Sequence, residues 1–242
     1  MSLSKAHIIA RLQREILPLQ GYKPAANHAI SDGGLGPIKY AFPNASFPVG
    51  AVHEFFCNGA EDASATTAFI TGILSTLMQS TGASLWISGS RSIFPPALQS
   101  FGIAPDKIIF VDVLKEKEQL WTIEEALKCD GVTAVIGEMQ ELSFTASRRL
   151  QLAVEQSGVT GFLIRKNPRS LATACVTRWK ITPLASEQQD GLPGLGFPRW
   201  NVELVKVRNG KPGTWQLEWA GGGFRHVYKL ASIDKVQQRK AG

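Results

Sequence analysis

Val52-His53-Glu54-Phe55-Phe56-Cys57-Asn58-Gly59-Ala60-Glu61-Asp62-Ala63-Ser64-Ala65-Thr66-Thr67 is the stretch whose reading decides the fold. Val52–Cys57 reads as a buried strand. A helix is predicted over 64–79, with Phe69, Ile70, Ile73, Leu74, Leu77 and Met78 as its inward stripe. The residues between have the place of a phosphate-binding loop. A working loop needs G-x-x-x-x-G-K-[ST]: the glycines let backbone N–H groups curl around phosphates, the lysine neutralises them, and the hydroxyl holds Mg²⁺. Gly59 stands at the first glycine and Thr66 at the hydroxyl. Ser64 replaces the second glycine, however, and Ala65 replaces the lysine. Glu61 and Asp62 add two negative charges where phosphates would lie. The expectation is therefore no catalytic residue, no cofactor and no metal. The plain alternative is a strand-to-helix connection with Ser64 as N-cap.

Outward from this segment, short apolar runs at 84–87, 108–113, 132–136 and 160–164 alternate with helical patterns near 97–101 and over 116–128 and 145–157. That alternation predicts βαβ units and a parallel sheet covered on both faces. After residue 175 the pattern changes. Runs at 176–184, 202–207 and 214–219 alternate apolar with polar, and Arg208-Asn209-Gly210-Lys211-Pro212-Gly213 reads as a hairpin turn between the last two. The predicted fold class is α/β: a three-layer core with a mostly parallel central sheet and antiparallel strands at its C-terminal end. Residues 1–42 are read as an N-terminal helix and arm, 43–220 as the core, and 221–242 as a flexible C-terminal tail.

The 242 residues are 44% hydrophobic and 19% charged, which suits a globular domain with one sizeable core. No apolar run reaches the roughly 18–20 residues a membrane-spanning helix needs. The first residues carry charge through their apolar stretch and read as an amphipathic helix, not a signal peptide. Cys57, Cys129 and Cys175 are too few and too widely spaced for a disulfide framework or a metal knuckle. Buried free thiols in a reducing cytoplasm are expected. His7, His28, His53 and His226 lack metal-ligand spacing. The net charge of +6 falls wholly in residues 122–242, with 17 Lys+Arg against 11 Asp+Glu. A basic half attracts nucleic acid or an acidic partner, or simply keeps a surface solvated.

Gly50-Ala51-Val52-His53-Glu54-Phe55 and the long string 197–219, with Pro198-Arg199-Trp200 and Trp215-Gln216-Leu217-Glu218-Trp219, carry a more specific signal. Together with the order of elements over about 170 residues, they make the chain resemble the ImuA family, RecA-like accessory proteins of bacterial mutagenic translesion synthesis. The resemblance implies a RecA-like core without catalysis. It also implies partners: a Y-family-like polymerase subunit, an error-prone replicative-type polymerase and RecA itself, with weak DNA binding open. RecA-like ATPases carry a glutamate ending the second strand and an aspartate ending the fourth. Here the second strand ends Ile87-Ser88-Gly89-Ser90, and Gly137 falls at the aspartate position with Glu138, read as an exposed loop acid, one step later. The recombinase DNA-binding loop after the fifth strand is nearly absent, since Asn167 leads through Pro168-Arg169 almost directly into the next strand. Two other classes stay open. One is a SulA-like division inhibitor binding FtsZ; the other is a RecA-like ATPase with a deviant loop.

Several residues are candidate contacts for partners or phosphates. Arg165, Lys166 and Arg169, with Arg178 and Lys180, form a basic cluster that is either a phosphate contact or a solvated rim. Trp200 and its neighbouring tryptophans are either anchors or core. Phe224, Arg225 and Tyr228 lie in the predicted tail, read as a docking peptide.

Overall fold

The computed structural model describes residues 34–78, 82–91, 93–169, 172–186 and 196–227. Nine strands form one sheet: β1 (Val52–Cys57), β2 (Ala83–Ser88), β3 (Ile108–Asp112), β4 (Val132–Met139), β5 (Thr160–Lys166), β6 (Thr177–Leu184), β7 (Arg199–Val207), β8 (Gly213–Ala220) and β9 (Gly223–His226). Three α-helices intervene: α1 (Ala60–Leu77), α2 (Glu116–Leu127) and α3 (Phe144–Ser157). The strand order is β3-β2-β4-β5-β1-β6-β7-β8-β9. All pairs from β3 to β6 are parallel, and β6–β7, β7–β8 and β8–β9 are antiparallel. The predicted mixed sheet is present. Among the described residues no helix is long and apolar enough to cross a membrane.

Strand alternation sends β1 side chains to two different cores. Phe55 and Cys57 face α1, where they join Phe69, Ile70, Phe162, Ile164, Trp179 and Ile181. Val52 faces α2 and α3, with Val135, Leu150 and Leu163. Among the described residues the antiparallel extension is covered on the α1 side alone. There Trp179, Phe69, Trp200, Trp219 and Phe224 interlock, with Phe69 and Phe224 ring centres 4.8 Å apart. Gly72 makes this possible: a Cβ there would stand 2.6 Å from the Phe224 ring.

Three expectations are corrected here. Residues 221–227 are not a tail: Gly223–His226 is an edge strand pairing with β8, and Phe224 is buried. Residues 34–42 are not a separate arm, because Leu35, Ile38, Ala41 and Phe42 belong to the α1-side core. Gly36 sits at φ +55 against Phe224 O, where any Cβ would clash, and Phe224 N donates to Gly34 O at 3.1 Å. The two chain segments thus stitch onto each other. Finally, Cys57 and Cys175 are buried free thiols, but Cys129 is exposed, because it follows the end of α2 at the surface.

Candidate functional site

Only Asn58 and Gly59 separate β1 from α1. Residues 60–65, which in a phosphate loop would arc around a triphosphate, are wound as the first turns of the helix, and Ala63 N donates to Gly59 O at 3.0 Å. Gly59, not Ser64, is the N-cap; its backbone is extended (φ −168, ψ −179), and nothing lies near the position of a Cβ. Ser64 is in the second turn and donates to Ala60 O at 3.0 Å. Ala65 and Thr66 are turned inward and buried, and the Thr66 hydroxyl finds no hydrogen-bond partner there. The Asp62 carboxylate accepts from Asn58 N at 3.2 Å. With Glu61 it places negative charge at the positive end of the helix dipole, where an anionic ligand would otherwise be favoured.

A cleft of about 550 Å³ lies beside the first half of α1. Its walls are Ala60, Ala63 and Ala68 on one side and Ile93, Phe94, Leu98 and Phe101 on the other. Its floor is the C-terminal ends of β4 and β5, the usual end for ligand sites in α/β sheets. Glu138 stands there as a buried residue, not the exposed loop acid expected, because β4 runs on to Met139. It accepts from Trp86 Nε1 at 2.9 Å and from Lys166 Nζ at 2.8 Å. Lys166, read as a candidate phosphate contact, is therefore half spoken for by a carboxylate. Asn167, at φ +49, closes β5 and donates its N–H to Cys57 O at 2.9 Å.

On the α3 side of β1 sits a charge network that the sequence did not announce. Glu54 and Arg165 are both fully buried and ion-paired. The other Glu54 oxygen accepts from Arg178 Nε at 2.9 Å and Thr173 Oγ1 at 2.7 Å. Arg165 is thus a structural cation and not a phosphate contact, since β5 carries it inward beside a buried carboxylate. The available signal was a glutamate within a mostly apolar central strand, which demands a cation on a neighbouring strand. Arg169 does reach solvent, with its side chain 92% exposed and Glu141 4.0 Å away.

The aromatic candidates go the other way. Trp200 and Phe224 are buried in the α1-side core and reach no partner, because both fall on the inward parity of their strands. Arg225 is exposed opposite Glu218. Tyr228 lies outside the described residues. Among the described residues no three His, Cys, Asp or Glu side chains are grouped as metal ligands would be.

No family model matches the chain. The protein ImuA from two strains of Caulobacter vibrioides is 36% identical over 227 residues, spanning 86% of this chain and 93% of its relative. The chain belongs to the ImuA family. The crystal structure of the RadB recombinase is similar in fold, with a TM-score of 0.51 and 13% identity over 74% of this chain and 92% of that one. The ImuA resemblance read from 197–219 is therefore correct, and the RecA-like core is shared with a recombinase. In this ImuA family member, the string that carries the resemblance builds β7 and β8. Its Trp200, Leu217 and Trp219 form the core wall, which accounts for their spacing.

Proposed function

We propose that this protein is a non-catalytic RecA-like scaffold in damage-induced, error-prone translesion DNA synthesis. It works in the cytoplasm and binds a Y-family-like polymerase subunit, RecA and an error-prone replicative-type polymerase. The observation that carries the non-catalytic part is the wound start of α1. From Ala63 onward the backbone amides are taken by helical hydrogen bonds, the Asp62 carboxylate lies on Asn58 N–H, and Glu61 and Asp62 set negative charge at the helix start. Membership of the ImuA family supports the accessory role. The apolar cleft beside α1 supports a binding rather than a reacting surface, since among the described residues its charged floor groups, Glu138 and Lys166, pair with each other.

Calorimetric titration with Mg-ATP tests the first part. No heat up to millimolar nucleotide is expected, whereas saturable micromolar binding would overturn it. Co-purification from DNA-damaged cells tests the second. The Y-family-like subunit should be retained on the tagged full chain, and its clean absence would count against the role.

A further inference from the structure

Among the described residues no helix covers the face of β6–β8 opposite α1, which is lined by the part-exposed Lys180, Thr182, Asn201, Glu203 and Gln216. At its inner end the sheet crowds like charges. Arg178 on β6 pairs in register with Lys206 on β7, and Arg208 follows two residues later on the same side. Lys206 Nζ donates to Thr173 O at 3.0 Å, and Arg208 Nη2 donates to Ala174 O at 3.2 Å. These are backbone carbonyls, which carry no formal charge. Glu54 is spent on Arg165 and Arg178, so neither Lys206 nor Arg208 has a carboxylate partner among the described residues. The crowding is felt: partial burial, with Arg178 and Arg208 beside it, holds the Lys206 ammonium below the usual lysine range. Like charges held side by side repel. A polyanion neutralises them on binding.

We infer that Lys206 and Arg208 form a sequence-independent contact site for the phosphate backbone of duplex DNA. Charge complementarity selects a polyanion, and the chemistry of the face selects the duplex. Besides Lys180, in register with Glu203, its remaining side chains are uncharged and polar, and the tryptophans of β6–β8 all point to the other face, so no ring is offered for stacking an unpaired base. Donors fixed to backbone carbonyls hold the two cations in place, leaving their other N–H groups for phosphate oxygens. This contact is additional to the partner binding proposed above and stands or falls separately from it.

The test is anisotropy of a labelled mixed-sequence duplex with the full-length protein, from about 50 to 200 mM salt. The double variant Lys206→Gln/Arg208→Gln keeps a donor for each carbonyl. It should bind at least about tenfold more weakly at low salt, with the salt slope shallower by about 1.8, two phosphate contacts' worth. The matched variant Lys107→Gln/Lys117→Gln, which removes the same charge at the far edge of the sheet, should leave the slope unchanged. An equal loss in both variants would overturn the site, since net charge alone would explain it. So would tighter binding of a single strand than of the duplex, or displacement of the duplex by poly-glutamate at equal charge, which would assign the face to an acidic protein. Thermal melts of each variant exclude unfolding as the cause.

Discussion

His53 illustrates how much of this protein is decided by single buried polar groups. Its ring stacks on Phe47 at 4.3 Å; Nε2 donates to Pro48 O at 2.8 Å, and Nδ1 lies 2.7 Å from the Thr177 hydroxyl. That hydroxyl also accepts from Trp179 Nε1 at 2.6 Å. Full burial lowers the imidazole pKa to about 3, so the native state holds it neutral. The unfolded chain takes up the proton near pH 6.5 and the folded chain does not, so the stability contribution is complete above 6.5 and is lost as pH falls towards 3. Between pH 7 and pH 5 this one group should remove about 2 kcal/mol. Urea unfolding of the wild type and of His53→Gln at both values measures it, and an equal pH dependence in the two proteins would refute it. Glu54 is the same lesson with a charge: a carboxylate in the central strand is tolerable because Arg165, Arg178 and Thr173 converge on it.

At the scale of an element, α1 leaves no loop between Gly59 and Thr66 for a lysine to complete. Ala65 lies on the buried face of the helix, one residue before the buried Thr66. A lysine restored at 65 would point its ammonium into the core and not at a ligand. Ala65→Lys is therefore expected to lower the unfolding free energy by more than about 2 kcal/mol and to give no Mg-ATP binding by calorimetry. Nucleotide binding in that variant would show that the loop still opens. In sequence, the spacing Gly59 to Thr66 was readable as a degenerate motif. Its conformation was not, because Ala60, Ala63 and Ala65 favour helix and carry the helix start back to residue 60.

At the scale of the whole molecule, the two ends of the described chain close the antiparallel extension. Phe224 fills the space over Gly72 while Gly34 and Gly36 receive its backbone. Phe224→Ala should cost about 3–5 kcal/mol in chemical denaturation. A chain ending at Ala220 should lose at least as much, since β9 and its pairing go with the ring. A stability within 1 kcal/mol of wild type in either case would mean that residues 221–227 act as the tail the sequence suggested.

The strands from 52 to 219, their order of type and the hairpin at 208–213 followed from the sequence alone, because hydrophobic period and turn chemistry are local properties. So did the alanine at 65 and the two acids at 61 and 62, which are matters of residue identity. Burial and partnership were decided by tertiary structure. A four-residue strand such as Gly223–His226 has too little pattern to announce itself and forms only because β8 offers it an edge. Arg165, Trp200 and Phe224 looked like contacts from their chemistry and became core by strand parity and neighbours. Glu138 looked like a loop acid and became the buried partner of Trp86 and Lys166, groups drawn from strands far apart in sequence that meet only once the sheet has closed.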